Sequence, residues 1–429
     1  MQDRRNRYLV KVNSIFYRFS ACAVVLLAYH LFYLVHFPDL LRGFGNAKYG
    51  LPLVVNLYSI LLVLPFVTTY RKKYQWVLRY LMILFVCLFV YTIIDLKRYP
   101  LQSFIDIRFT VSMFFAPISA VLFIGSFEDN IYKTLNFINV VTFIWNCIII
   151  IQCLCYRLGA PFLFAFDDYF VSGMSIRNNS VQLSLGLFGN LFVVYNLSLL
   201  FSAPKRKFWN LIYVIVGVTA LLFVQQTKGY ILTILACLMV IVYGSIRNKK
   251  IRIISCFLII WIALFVIGTD LVYIFARQLF GSEYRQTKSY LNRVYELNYY
   301  MNCFKEHPIL GNGFAELEYY EYVVRGKEGI ADYTDVGFIG LLGRCGLFSI
   351  VFYLIPLLRI IYISIKKRKA VSHAMSLILC SFSVYLIVTS GTLIITDQGR
   401  NMLFGFMIAF FEFVYANGDI RLEDHKKQK

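Results

Sequence analysis

Residues 76–94, WVLRYLMILFVCLFVYTII, decide the fold class. The run is almost wholly apolar. At about 1.5 Å per helical residue it crosses the roughly 30 Å of hydrocarbon in a bilayer. Backbone N–H and C=O groups in lipid must bond within their own segment, so the run is a helix. It directly follows Arg71-Lys72-Lys73, the kind of basic cluster that stays on the cytoplasmic side.

Runs of the same kind recur on both sides of it. They fall at roughly 15–35, 51–69, 108–125, 135–156, 181–201, 208–225, 229–246, 252–269, 336–357, 371–392 and 401–416. The composition agrees, with 59% of the 429 residues hydrophobic and 15% charged. A soluble chain carries about a quarter charged residues, so there is too little polar surface here to cover a water-soluble globule. The expected fold is all-α, a polytopic membrane protein of about twelve transmembrane helices with one large extracytoplasmic loop. Residues 1–269 hold the first nine spans, 270–335 the loop, 336–416 the last three spans and 417–429 a cytoplasmic tail. The first run follows a basic head and reads as a retained span rather than a cleaved signal.

The net charge of +20 is a matter of topology. Arg4, Arg5, Arg7 and Lys11 precede the first span. Every second connection is then basic: Arg71-Lys72-Lys73, Lys205-Arg206-Lys207, Arg247 with Lys249 and Lys250, and Lys366-Lys367-Arg368-Lys369. Lys426, Lys427 and Lys429 end the chain. Both termini are therefore expected in the cytoplasm, with the clusters beside anionic lipid. The weak link is the 126–134 connection, which carries Glu128, Asp129 and Lys133. The bilayer, not nucleic acid, is the partner this pattern implies. The ten Cys lie mostly within spans and form no Cys-x-x-Cys pattern, so neither a disulfide framework nor a zinc site is expected. There is no Asp-x-Asp pair and no phosphate-cradling glycine loop on a cytoplasmic segment. Neither a metal nor a nucleotide cofactor is expected.

The loop at 270–335 is far longer than a connection needs, and loops of that size are usually functional. Within it Val294, Leu297, Met301 and Phe304 recur at i, i+3, i+7 and i+10, one apolar stripe of a helix. The opposite face offers Arg293, Glu296 and Lys305. The helix is expected on the membrane surface or against the bundle. His307-Pro308 ends it, and Gly311-Asn312-Gly313 makes a tight turn.

A charge in the membrane core costs about 2.5–3.5 kcal/mol to insert and usually faces a bundle interior or a wet cavity, which makes charges in or near the outer halves of spans informative. Lys228 lies in the short turn Gln225–Gly229, Arg177 just before span six and Arg400 at the start of span twelve. Arg293 stands on the loop helix, Arg344 inside span ten and Asp335 at that span's mouth. Converging, the cations make a pocket for phosphate or pyrophosphate, because Arg pairs with phosphate oxygens in bidentate fashion. Each also has a plainer reading. Arg177, Lys228 and Arg400 can snorkel to headgroups. Arg293 can sit on a solvated helix face, and Arg344 can pair between helices. Asp335 is either an acid/base group or a helix N-cap. His307 is either a turn residue or a base.

Taken together, these motifs resemble the bacterial O-antigen polymerase and ligase superfamily. The matching residues are Arg293 on its helix, His307-Pro308-Ile309-Leu310-Gly311-Asn312-Gly313-Phe314, and Tyr333-Thr334-Asp335-Val336-Gly337-Phe338-Ile339-Gly340 closing on Arg344-Cys345-Gly346-Leu347. Asp335 and Gly346 keep the family's spacing of a polar residue followed by Gly eleven positions on. Thr227-Lys228-Gly229 and Arg177-Asn178-Asn179 resemble two shorter elements. The resemblance implies a GT-C-like membrane glycosyltransferase that needs neither metal nor nucleotide. Its substrate would be an undecaprenyl-pyrophosphate-linked oligosaccharide at the outer face of the bacterial inner membrane. A chain-length regulator and a flippase would be partners in the same pathway. Arg293, Lys228, Arg177, Arg344 and Arg400 would hold pyrophosphate, with Arg293 and Lys228 also acting in catalysis beside Asp335. His307, Tyr319, Tyr320, Tyr322 and Tyr333 would meet the glycan, where tyrosines stack on sugar rings or anchor the loop. Ligases of the superfamily carry His where Asp335 stands, which points to the polymerase branch. Transfer of finished glycan by a ligase, and a flippase or other transporter, are the alternatives.

Overall fold

The computed structural model describes residues 2–29, 47–99, 115–160, 176–177, 180–181, 185–202, 207–224, 228–280, 288–313, 321–391 and 401–418. They form helices α1 (Gln2–Ala28), α2 (Ala47–Tyr70), α3 (Gln75–Arg98), α4 (Ser119–Arg157), α5 (Gly189–Ser202), α6 (Lys207–Phe223) and α7 (Lys228–Ser245). There follow α8 (Lys249–Phe280), α9 (Lys288–Glu306), α10 (Glu321–Val324), α11 (Gly337–Cys345), α12 (Ile355–Lys367), α13 (His373–Gly391) and α14 (Asn401–Asn417). A two-residue antiparallel pair joins β1 (Ile176–Arg177) to β2 (Ser180–Val181). Among the described residues three stretches are long and apolar enough to cross a membrane, Gln75–Arg98, Ala116–Arg157 and His373–Gly391, and six shorter apolar helices accompany them. Helix α8 continues through Phe280, into the stretch expected to begin the loop.

Helix α4 is two antiparallel arms. Asn130 has extended backbone angles (φ −167°, ψ 102°). The Ser126 and Thr134 hydroxyls lie 2.8 Å apart across it. In a straight helix eight residues would separate them by about 12 Å. This turn is the weak link of the charge pattern, and its acids are neutralised by the basic neighbours. Glu128 accepts from Lys73 Nζ at 2.7 Å and from the Tyr74 hydroxyl, and Asp129 pairs with Arg18. Lys73 Nζ also donates to Asn417 Oδ1 at 2.6 Å, which brings the last turn of α14 to the same end of the bundle.

Lipid gives helices no hydrophobic reason to associate, so close packing and polar pairs do that work. Asn139 and Asn196 exchange amide hydrogen bonds of 2.7 and 3.2 Å between α4 and α5. Ser198 meets Ser381 at 3.0 Å, and Ser364 meets Ser383 at 2.5 Å. The Tyr29 hydroxyl joins Thr142 at 2.8 Å and also accepts the Phe188 N–H. Phe123, Phe127, Phe188 and Phe406 pack edge to face around the centre, with ring centroids 5.1–6.4 Å apart. The outward side of α3 (Met82, Phe85, Phe89, Ile93) and of α8 (Ile254, Phe257, Trp261, Phe265) is apolar and exposed. In water those faces would aggregate; against acyl chains they are at home. The chain is a membrane-integral protein.

The expected single helix at 336–357 is broken. Helix α11 ends at Cys345, Gly346 takes φ +56°, and the chain continues through a π-helical stretch, Ile350–Leu354, into α12. The Phe338 and Tyr353 rings stack with centroids 6.0 Å apart. Fifteen residues of continuous helix would hold them about 22 Å apart. The chain therefore doubles back at Gly346, which brings Phe338 at the start of α11 against Tyr353 of the π-helical stretch. Hydropathy cannot register this, because both limbs are apolar and glycine is ordinary in membrane helices.

Candidate functional site

The motif turn after α9 is a clasp between two helices. Proline at 308 cannot extend α9, and the chain reverses over His307–Gly313. Its N–H groups go to α11. Asn312 donates to the Gly343 carbonyl at 2.9 Å and Gly313 to that of Arg344 at 3.0 Å, while Leu347 returns a bond to the Pro308 carbonyl at 2.9 Å. Its carbonyls go to the end of α3. The Tyr91 hydroxyl donates to Leu310, Arg98 Nη1 to Gly311 at 2.8 Å and the Tyr99 hydroxyl to Asn312 at 2.6 Å. The Asn312 side chain reaches the Val323 carbonyl at 2.7 Å and so ties down the later part of the loop. Two glycines allow the backbones to cross. Gly311 (φ +61°) and Gly346 (φ +56°) would each place a Cβ 2.4 Å from a facing carbonyl, that of Gly343 and that of Ile309.

Helix α9 packs against the protein, one of the two placements its stripe allows, and does so through its Glu296 side. Glu296, Tyr300 and Cys303 are its buried side, while Val294 and Leu297 of the apolar stripe are exposed. Val294 and Leu297 of the stripe thus face outward and Glu296 faces the protein, while Arg293 is half-buried and Lys305 exposed. Periodicity finds the stripe but cannot say whether lipid or protein covers it. The buried side packs under residues 321–336. The Tyr299 hydroxyl donates to Val323 at 2.6 Å and the Tyr300 hydroxyl to Val324 at 2.8 Å. Tyr295 and Tyr299 stack at 6.2 Å. Burial pushes the Tyr299 and Tyr300 hydroxyls up, so both stay protonated donors.

This packing gathers a charged cluster. Glu296 is 3% exposed, and its Oε1 accepts the Asp332 N–H at a long 3.4 Å. Burial, then the negative charge of Asp335, then that of Asp332 raise its carboxyl to about 7, against the opposing pull of the Asp332 N–H and, more weakly, of Arg293. Asp332 is fixed in turn, accepting the Thr334 N–H at 2.9 Å and hydroxyl at 2.8 Å. Asp335 is partly exposed at the start of α11. The N-cap position there is Val336, one residue after Asp335. Arg293, Glu296 and Asp335 therefore share one place at the mouth of α11.

Arg344 is buried deeper, 6% exposed, at the other end of α11. It acts electrostatically on Tyr299 and Tyr300, and together with Asp95 on Tyr91 and Cys345. Asp95 is fully buried on α3, and its Oδ1 would touch any Cβ at Gly313. Arg344 and Asp95 thus both lie close to the clasp. His307 is exposed and stands about 16 Å along α9 from Glu296, so it does not join Asp335. Tyr322 is exposed, and Tyr333 is half-buried against Tyr300, Ala331 and Val336. Arg177 and Lys228 lie on described backbone, in β1 and at the start of α7. Arg400, Tyr319 and Tyr320 lie outside the described residues. Among the described residues no three of His, Cys, Asp and Glu converge as metal ligands.

Two residues of this region, Glu296 and Asp95, were not among the expected site residues, although Glu296 stood on the polar face of the loop helix. Glu296 follows Arg293 by one helical turn, which is itself a signal that the two share a face. Asp95 is a carboxylate directly at the end of the 76–94 apolar run, and an ionisable group at such a depth is a functional candidate by default.

No curated protein matches the chain. Residues 212–354 match the family model described as O-antigen ligase, a stretch that carries Arg293, Glu296, the motif turn and Asp335 through Gly346. The match supports a place in the O-antigen polymerase and ligase superfamily and a part in surface-polysaccharide assembly, without separating polymerase from ligase.

Proposed function

We propose that the chain polymerises a bacterial surface polysaccharide (O-antigen, capsule or exopolysaccharide) at the outer face of the cytoplasmic membrane. Twelve spans would place both termini inside and the α9–α11 region outside. The donor is a glycan on undecaprenyl pyrophosphate, and the acceptor is a lipid-linked repeat unit. An acceptor hydroxyl attacks the donor's anomeric carbon. The bond from that carbon to the pyrophosphate oxygen breaks, and its electron pair leaves with undecaprenyl pyrophosphate. Asp335 takes the hydroxyl proton. Arg293, with Lys228, Arg177, Arg344 and Arg400 as further cations, offsets the charge that develops on the leaving group. Tyr322 and Tyr333, with Tyr319 and Tyr320, present rings to the sugars.

The observation that carries this reading is that Arg293 and Asp335, far apart in sequence, act on the same buried carboxyl, Glu296. A cation and a carboxylate at one mouth are what the transfer needs. Asp335 in the position where ligases of the superfamily carry His favours polymerisation. The description of the matched family favours a second reading, transfer of finished glycan to a different acceptor.

The test uses purified protein in nanodiscs with the host's lipid-linked repeat units, a chelator and no nucleotide. A product ladder that is lost in Arg293→Ala and Asp335→Ala is expected. Product only with a non-repeat acceptor would establish the ligase instead. Movement of the lipid-linked units across the bilayer without any transfer would establish a transporter.

A further inference from the structure

We infer that Glu296 is a positioning residue of this site: it holds a proton beside Asp335, so that the pair carries one negative charge and Asp335 is its ionised member. The inference rests on the glycosyl-transfer reading for its consequence, but its physical content is separate.

The geometry is that of a carboxyl built to stay neutral. Glu296 sits one turn after Arg293 on the protein-facing side of α9 and is 3% exposed. Its Oε1 receives one long bond of 3.4 Å from the Asp332 N–H. Its Oε2 is closed off from water and has no hydrogen-bond partner among the described residues. An ionised carboxylate needs two or three donors to be stable in such a place, whereas a protonated one tolerates it. Three charged side chains bear on the group. Asp335 and Asp332, on the segment packed over α9, oppose ionisation, and Arg293 on α9 itself favours it. Burial and the two acids outweigh the Asp332 N–H and the arginine, and the carboxyl is raised to about 7. Two neighbouring carboxyls driven apart in this way divide the roles of proton holder and base.

The consequence follows from charge. With Glu296 neutral, Arg293 faces one carboxylate and has charge left for a pyrophosphate. As pH rises through about 7, Glu296 ionises. A second negative charge then repels the pyrophosphate and competes for Arg293. Transfer should fall on the alkaline side, by about tenfold between pH 6 and pH 8 for a single proton of that affinity. Glutamine at 296 is neutral at every pH and should remove the limb.

The experiment pairs two readouts on the full chain in nanodiscs. Infrared titration follows the carbonyl band of a protonated carboxyl. The band should titrate near pH 7 in the parent protein, be missing in Glu296→Gln and move to lower pH in Asp335→Asn, which removes the neighbouring negative charge. The transfer assay should give a pH 6 to pH 8 rate ratio of about ten for the parent and near one for Glu296→Gln. If the difference between parent and Glu296→Gln shows no protonated carboxyl down to pH 5, or if Glu296→Gln keeps the alkaline limb, the inference is overturned. Should Glu296→Gln fail to fold, the shift in Asp335→Asn decides the matter on Glu296 itself, and an unmoved band overturns the inference. A band that behaves as expected in a protein with no transfer activity upholds the inference about the proton and overturns the glycosyl-transfer reading.

Discussion

The backbone N–H of Asn312 donates to the Gly343 carbonyl at 2.9 Å, fastening the motif turn to the short helix that begins beside Asp335. The bond forms inside the last turn of α11, where a helix leaves carbonyls without partners of its own. The turn supplies the missing donors, and α3 caps the turn's carbonyls from the other side. The position of Asp335 thus depends on a stretch of backbone about 23 residues earlier in the chain. The crossing is possible only because neither strand of backbone carries a side chain at the contact.

Gly346→Ala should therefore be costly. The substitution meets φ +56° with ψ −143°, a conformation left almost wholly to glycine and costing about 1–3 kcal/mol on its own, and a carbonyl at 2.4 Å that cannot retreat without opening the turn. Gly418 also has positive φ (+70°) but meets nothing within 4 Å among the described residues, so Gly418→Ala is a control for positive φ without a facing carbonyl. Thermal unfolding of the two variants in detergent should show a clearly larger loss for Gly346→Ala. Equal losses would mean that the crossing contributes nothing.

The carbonyl side of the clasp gives a finer probe. Tyr99→Phe keeps the ring and removes the hydroxyl that donates to Asn312 at 2.6 Å. Leaving that buried carbonyl unsatisfied costs about 1–3 kcal/mol. Arg98→Ala removes the donor to Gly311. Both variants should lower transfer in step with the unfolding temperature, and together they should be less than additive, because both hold one turn. Full additivity would show that the two bonds act independently.

Much of this was legible beforehand, and the parts that were not share a cause. Hydropathy located the helices of the bundle, and the turn at His307–Gly313 was evident from Pro308 and the two glycines. The reversal at Asn130 was readable as a connection, although its acids looked out of place until Lys73 and Arg18 were seen beside them. The break at Gly346 was hidden, because pattern does not report the sign of φ. The burial of Glu296 was hidden too. In a membrane protein an apolar stripe can face outward, and then the polar side of a surface helix is the packed one. Reading α9 correctly required knowing what lay over it, and that segment is about 30 residues further on.

The two ends of the bundle make a prediction about sidedness. Lys72 lies at the basic end with the Lys73–Glu128 pair, and Ile309 is exposed on the motif turn at the other. Lys72→Cys should react with an impermeant thiol reagent only in inside-out vesicles, and Ile309→Cys only in right-side-out ones. The parent chain, with ten free cysteines, sets the baseline. Labelling of both from one side would undo the proposed topology.

The pH dependence of stability follows from Glu296 with its sign fixed. A carboxyl whose folded value lies above its unfolded one binds its proton more tightly when folded. Its favourable contribution is complete below the ordinary value of 4.5 and is lost as pH rises through about 7. The parent protein should therefore lose stability between pH 5 and pH 8, with this one group accounting for about 3 kcal/mol at most by linkage. Glu296→Gln has no proton to lose and should show a flatter profile over that window. The variant should gain on the parent at pH 8 relative to pH 5. Arg293→Ala works the other way. Removing the cation that favours ionisation raises the Glu296 carboxyl further, so the loss of stability should be larger and continue to a higher pH. Unfolding temperatures of the three proteins at pH 5, 6, 7 and 8 decide the point. Parallel profiles for parent and Glu296→Gln would show that Glu296 does not change its charge across this range.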